Sequence, residues 1–104
     1  MMRAPVTYRP NARKAIDAIF LYVLEASHSL PTAERFTNRI LDRCESIGDA
    51  PFGGAARPDL GVGIRAVPFE GRAVILYRVK DEAKEISNIF YRGRDYHAIM
   101  ANKP

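Results

Sequence analysis

Residues 64–91 read "IRAVPFEGRAVILYRVKDEAKEISNIFY", and how this stretch divides decides the fold. Apolar and polar residues recur with a period near two, β-branched and aromatic side chains are frequent, and polar breaks fall at "EGR" and "KDEAK". The pattern predicts three strands, at 64–69, 73–79 and 85–91, joined as a meander. The middle run, "AVILYRV", is almost continuously apolar, as befits a central strand covered on at least one face. Pro68 has no N–H for a ladder, so the first of the three lies at an edge or is bulged there.

Upstream the period lengthens. "VTYR" at 6–9 alternates like a short strand and is ended by Pro10, after which Asn11 offers a helix cap. Ala12, Ala15, Ile16, Ile19, Phe20, Val23 and Leu24 then recur at the spacing of a one-faced helix. "SHSLP" at 27–31 interrupts, with Pro31 suited to the first turn of a second helix. That helix carries the stripe Ala33, Phe36, Ile40, Leu41, Cys44 and Ile47, and Gly48 and Pro51 end it. So short a break makes the pair an antiparallel hairpin. Residues 50–63, rich in Gly and Pro and without a period, read as a loop. The expected fold class is α+β: an N-terminal strand and an antiparallel helical hairpin packed on a small, mainly antiparallel four-stranded sheet, in one domain spanning 1–104.

At 104 residues the chain can bury a core without crosslinks. Its one cysteine, Cys44, forms no internal disulfide. Residues 1–10 show no apolar segment of a signal peptide, and no run approaches the roughly 18 apolar residues of a membrane span. The expected location is the cytoplasm, with no membrane partner. The net charge is +4, from twelve Arg and four Lys against twelve acids. Residues 57–104 hold nine cations and six anions, so the basic surplus sits in the C-terminal half. Guanidinium groups suit carboxylates and phosphates, which points to an anionic partner, protein or nucleic acid.

Several chemistries lack their residues. Cys44, His28 and His97 show no metal-ligand spacing, and Cys44 lies on an apolar stripe, so no metal is expected. The glycines of "FGGAARP" and "GVGIR" form neither a phosphate loop nor a dinucleotide fingerprint and read as turn formers; no cofactor is expected. Acid–base cleavage of RNA needs a proton acceptor, a proton donor and cations for the phosphorane. Arginine can serve only as the cation, its pKa lying above about 12. Tyr91, Tyr96, His97, Glu70 and Asp95 carry the remaining possibilities, and no spacing singles out a pair. The arginines Arg57, Arg65, Arg78, Arg92 and Arg94, with Asp59 and Asp95 close in sequence, fit both internal ion pairs and a partner surface.

Taken together, "ARPDLGVGIRAVPFEGRAVILYRV" at 56–79 and "EISNIFYRGRDY" at 85–96 resemble the RelE/ParE superfamily of toxins from type II toxin–antitoxin modules, the ParE branch in particular. "AERF" at 33–36, "CESI" at 44–47, Pro51, Gly53 and the closing "GRD" extend the likeness over nearly the whole chain. The resemblance implies a toxin neutralised by a cognate ParD-like antitoxin, and contact with operator DNA only through that antitoxin. ParE-like members inhibit DNA gyrase as protein inhibitors; RelE-like members cut mRNA on the ribosome. A third reading is a domain that has lost toxicity and survives as a binding or co-repressor partner.

Partner binding is expected of Arg57, Arg65, Arg78, Arg92, Arg94, Asp95 and Tyr96 from their chemistry, and the resemblance assigns residues to the alternative. Were the chain a nuclease, Arg65, Arg94, Tyr96 and His97 would be its catalytic set. The cation expected early in the central strand of a nuclease falls near Val74, an apolar residue, which leans the reading toward gyrase. The "YRGRDYHAIM" end, 91–100, is expected to belong to the toxic surface.

Overall fold

Pro10 opens the first helix rather than closing the strand before it. In the computed structural model, which describes residues 5–47 and 53–91, β1 is Val6–Tyr8 and α1 is Pro10–Ser27, capped by Arg9 in extended conformation. A proline at the first helical position gives up an N–H that would have no helical partner anyway. The cap expected at Asn11 is therefore displaced to Arg9, whose side chain makes no capping bond. At the other end His28 takes a left-handed φ of 54° and donates its N–H to Leu24 O at 2.9 Å. Ser29 then accepts the Thr32 N–H on its Oγ at 3.2 Å, satisfying a donor at the start of α2, Leu30–Ile47.

The sheet has five strands, not the four expected. Beyond β1 these are β2, Ala55–Ala56; β3, Arg65–Phe69; β4, Ala73–Lys80; and β5, Ala83–Tyr91. Their order is β1-β5-β4-β3-β2, with β1 parallel to β5 and every other pair antiparallel. The added strand lies in the stretch read as a loop. Two alanines carry no alternation to betray them, and it is Arg65 and Ala66 opposite that pair with them. A 3-10 turn at Pro58–Leu60 follows. Pro68 lies beyond the reach of β2, on an outer edge that needs no donor there.

A bulge in β5 sets which residues face the helices. Tyr77 pairs with Ile86 but Leu76 pairs with Asn88, so Ser87 is the extra residue. Without it Ile86 would face away from Ile89 and Tyr91; with it all three join Val67, Phe69, Ala73, Ile75 and Tyr77 under the helices. There they meet Ala12 and Ile19 of α1 and Phe36, Ile40, Cys44 and Ile47 of α2. Burying side chains the size of Phe36 or Ile40 stabilises by about 1.5–3 kcal/mol each. The opposite face of the sheet is also covered: Leu60 and Ile64, from the segment between β2 and β3, pack on Ala66, Leu76 and Phe90, with Val74 beside them. Both faces of β4 are thus buried, which accounts for its apolar run.

Candidate functional site

The three expected arginines that fall within the described residues do not converge. Ladder alternation from the pairs Ala56↔Arg65 and Arg65↔Tyr77 puts Arg65 on the helix side of the sheet, while Arg57 and Arg78 take the other side. Arg57 holds Asp59 through Nε at 3.0 Å and Nη2 at 2.8 Å. Arg78 gives Nε to Glu85 Oε1 at 2.9 Å, and Arg9 Nη1 lies 3.8 Å from the same oxygen. Arg65 donates Nη1 to the carbonyl of Gly54 at 2.7 Å. Each arginine therefore ties a loop or a neighbouring strand to the sheet. Arg92, Arg94, Asp95, Tyr96 and His97, and with them all of the expected toxic end, 91–100, except Tyr91, lie outside the described residues.

Gly54 is the residue that sequence reasoning misread. Its N–H donates to the Tyr77 hydroxyl at 3.0 Å while its carbonyl takes the Arg65 bond. A Cβ there would sit 2.8 Å from Tyr77 Oη and 3.1 Å from Ala66 O, so the position demands glycine for close approach rather than for a turn. Val74, where a nuclease would carry a cation, is half-buried against the second core.

A second basic surface lies where α1, α2 and the start of β4 meet. A groove of about 340 Å³ is lined there by Tyr22, Phe36 and Tyr91 among its aromatics and by Arg35, Arg39 and Arg72. Its aromatics form a chain in which Tyr22 meets Tyr91 edge-on at 5.4 Å and Tyr91 meets Phe36 at 5.6 Å, and Phe36 continues into the core against Phe69 at 5.7 Å. The Arg39 guanidinium stands 5.1 Å over the Phe36 ring and grips Glu70 through Nε at 2.7 Å and Nη2 at 3.0 Å. Those hydrogen bonds, with the charges of Arg39 and Arg72, hold the Glu70 carboxyl below the usual carboxylate range. The sequence signal for this surface is the four-residue spacing of Arg35 and Arg39 on one helix face. Such a spacing reads as a solvated stripe until Arg72 is brought beside it by the β3–β4 connection.

Among the described residues no three or more His, Cys, Asp or Glu side chains group as metal ligands, and no helix is long and apolar enough to cross a membrane. A solved structure of the chromosomal ParDE TA system from P. aeruginosa contains a chain of the same fold, with a TM-score of 0.74 at 20 % identity over 86 % of this chain and 97 % of that one. No curated protein matches the sequence. The family model of the ParE toxin of type II toxin–antitoxin system, parDE, matches residues 6–96. With nearly the whole chain matched, from β1 past the end of β5, this protein belongs to the ParE toxin family.

Proposed function

We propose that this toxin, a single domain over residues 1–104, inhibits DNA gyrase by binding it and is held inactive in the cytoplasm by a ParD-like antitoxin. The observation that carries the reading is the fate of the would-be nuclease residues. Arg65 is committed to the Gly54 carbonyl, and the central-strand position that should hold a cation is Val74, half-buried against an apolar core. A phosphorane site lacking a cation loses several kcal/mol of transition-state stabilisation, on the order of 3 kcal/mol. An inhibitor that works by surface complementarity suffers no such loss. The arginines Arg57, Arg65 and Arg78, with Arg92, Arg94, Asp95 and Tyr96 beyond β5, then serve partner binding. Operator DNA is met through the antitoxin, and a module of this kind stabilises the plasmid or replicon that carries it.

Induced expression in bacteria tests the proposal. Filamentation with DNA-damage signalling, relieved by co-expressing the antitoxin, is the expected outcome. Prompt translation arrest with cleaved messages would instead mark a RelE-like nuclease, and normal growth a non-toxic co-repressor.

A further inference from the structure

β1 is fastened to the sheet from one side only, and the residue that receives it carries a buried charge. It has three residues against eight and nine in β4 and β5, and among the described residues no strand pairs with its outer edge. Its ladder is closed by the bonds from Lys84 N–H to Pro5 O at 2.8 Å and from Arg9 N–H to Ile86 O at 3.0 Å. The Arg9 side chain, half exposed and 3.8 Å from Glu85, adds little. Val6 lies beside Lys84 in the register, and Val79 flanks it from β4. Lys84 shares the helix side of the sheet with Ile86, two residues on, and is only 3 % exposed. Its ammonium reaches Glu82 O at 3.4 Å and, among the described residues, no carboxylate within ion-pair distance. Taking an ammonium out of water without a counter-charge opposes closure, and lifting Val6 lets water back to it.

We infer that β1 is a latch that opens by itself, pivoting at Arg9 while the helices and the other strands stay folded, and that the buried Lys84 ammonium sets it to open readily. Under the latch lies Cys44. That thiol is wholly buried and within hydrogen-bonding reach of the Tyr8 phenol. Tyr8 in turn lines an open groove with Arg13, Ile16, Asp17 and Leu41, so the phenol stands between that groove and the thiol. The bond from Tyr8 to Glu45 is what holds it there. An open latch also leaves the β5 edge from Lys84 to Ile86 unpaired, and β1 itself shows what that edge accepts: a strand with apolar side chains two residues apart, as Val6 and Tyr8 are.

Cys44 is the single cysteine of the chain, so its alkylation by N-ethylmaleimide in the folded, full-length protein reports the latch. Where the rate is proportional to reagent concentration, it measures the open fraction. Wild-type labelling should be nearly constant at low urea and take on the steep dependence of global unfolding only near the midpoint. Leu60→Ala empties a site in the second core, on the other face of the sheet, and lowers the urea midpoint. It should leave low-urea labelling within about twofold, since separate sites without shared partners act independently. Lys84→Met removes the charge and keeps an unbranched apolar chain. It should slow labelling by about tenfold or more and raise the melting temperature, as replacing buried charges by apolar groups does. Circular dichroism of each variant confirms that it is folded. Labelling that follows global unfolding from zero urea upward, or that accelerates in Leu60→Ala as stability falls, means that Cys44 is reached only by unfolding the whole chain and overturns the inference. So does a Lys84→Met chain that labels as fast as the wild type or melts lower.

Discussion

Gly54 shows how one residue joins three elements. Its N–H and carbonyl are both spent, on Tyr77 and Arg65, and the contact works only because no side chain intervenes. Gly54→Ala should destabilise the fold by about 1–3 kcal/mol, the usual cost of forcing an extra carbon into a packed site, read as a fall in the urea midpoint. Tyr8 and Cys44 set a different dependence. Burial pushes the Cys44 thiol up to about 12, with the Glu45 charge adding to it. Burial also raises the Tyr8 phenol, which donates to Glu45 Oε2 at 3.0 Å. A raised folded-state pKa means that the unfolded chain loses the proton first. The stability from both groups is thus complete below about pH 9 and falls as pH climbs toward 12. Urea melts at pH 8 and 11 should show this decline, and it should flatten in a Tyr8→Phe, Cys44→Ala double variant. An equally steep decline in that variant would assign the effect to other groups.

At the scale of elements, periodicity made the two helices and the three long strands legible because each buries one face against a partner with its own period. It failed where the backbone rather than the side chains does the work. The two alanines of β2 are recruited by Arg65 and Ala66, and no pattern in "AA" announces it. The Ile86-to-Ile89 spacing of three breaks a period of two, and only the extra Ser87 reconciles it with a common face. The β4–β5 turn is another such place. Asp81 and Glu82 both have positive φ, 51° and 65°, in a two-residue hairpin loop that favours Asn-Gly or Asp-Gly. Glu82→Gly should therefore stabilise by about 0.5–1 kcal/mol, since glycine enters the left-handed region without a Cβ clash. A melting temperature that falls instead would show that the Glu82 side chain contributes more than its backbone strain costs.

Over the whole molecule, the arginine surplus was readable as charge, but its distribution was not. Arg57, Arg65 and Arg78 fitted both internal ion pairs and a partner surface in the sequence; strand alternation sends them to opposite faces, each with an internal partner. The groove cations Arg35 and Arg39 sit in the half of the chain whose charges nearly cancel, so a tally by segment passes over them. What the sequence did carry was the ordered set of motifs running from "AERF" in α2 to "GRD" past the end of β5, which is why the family likeness and the two-layer fold could be anticipated together. On the proposed function this scaffold acts by binding and not by cutting. Adding the purified toxin to DNA gyrase in a supercoiling reaction, and to ribosomes programmed with a defined message, measures it most directly. Loss of supercoiling, restored by the antitoxin, with the message intact is the predicted result; unimpaired supercoiling alongside ribosome-dependent cleavage of the message would contradict it.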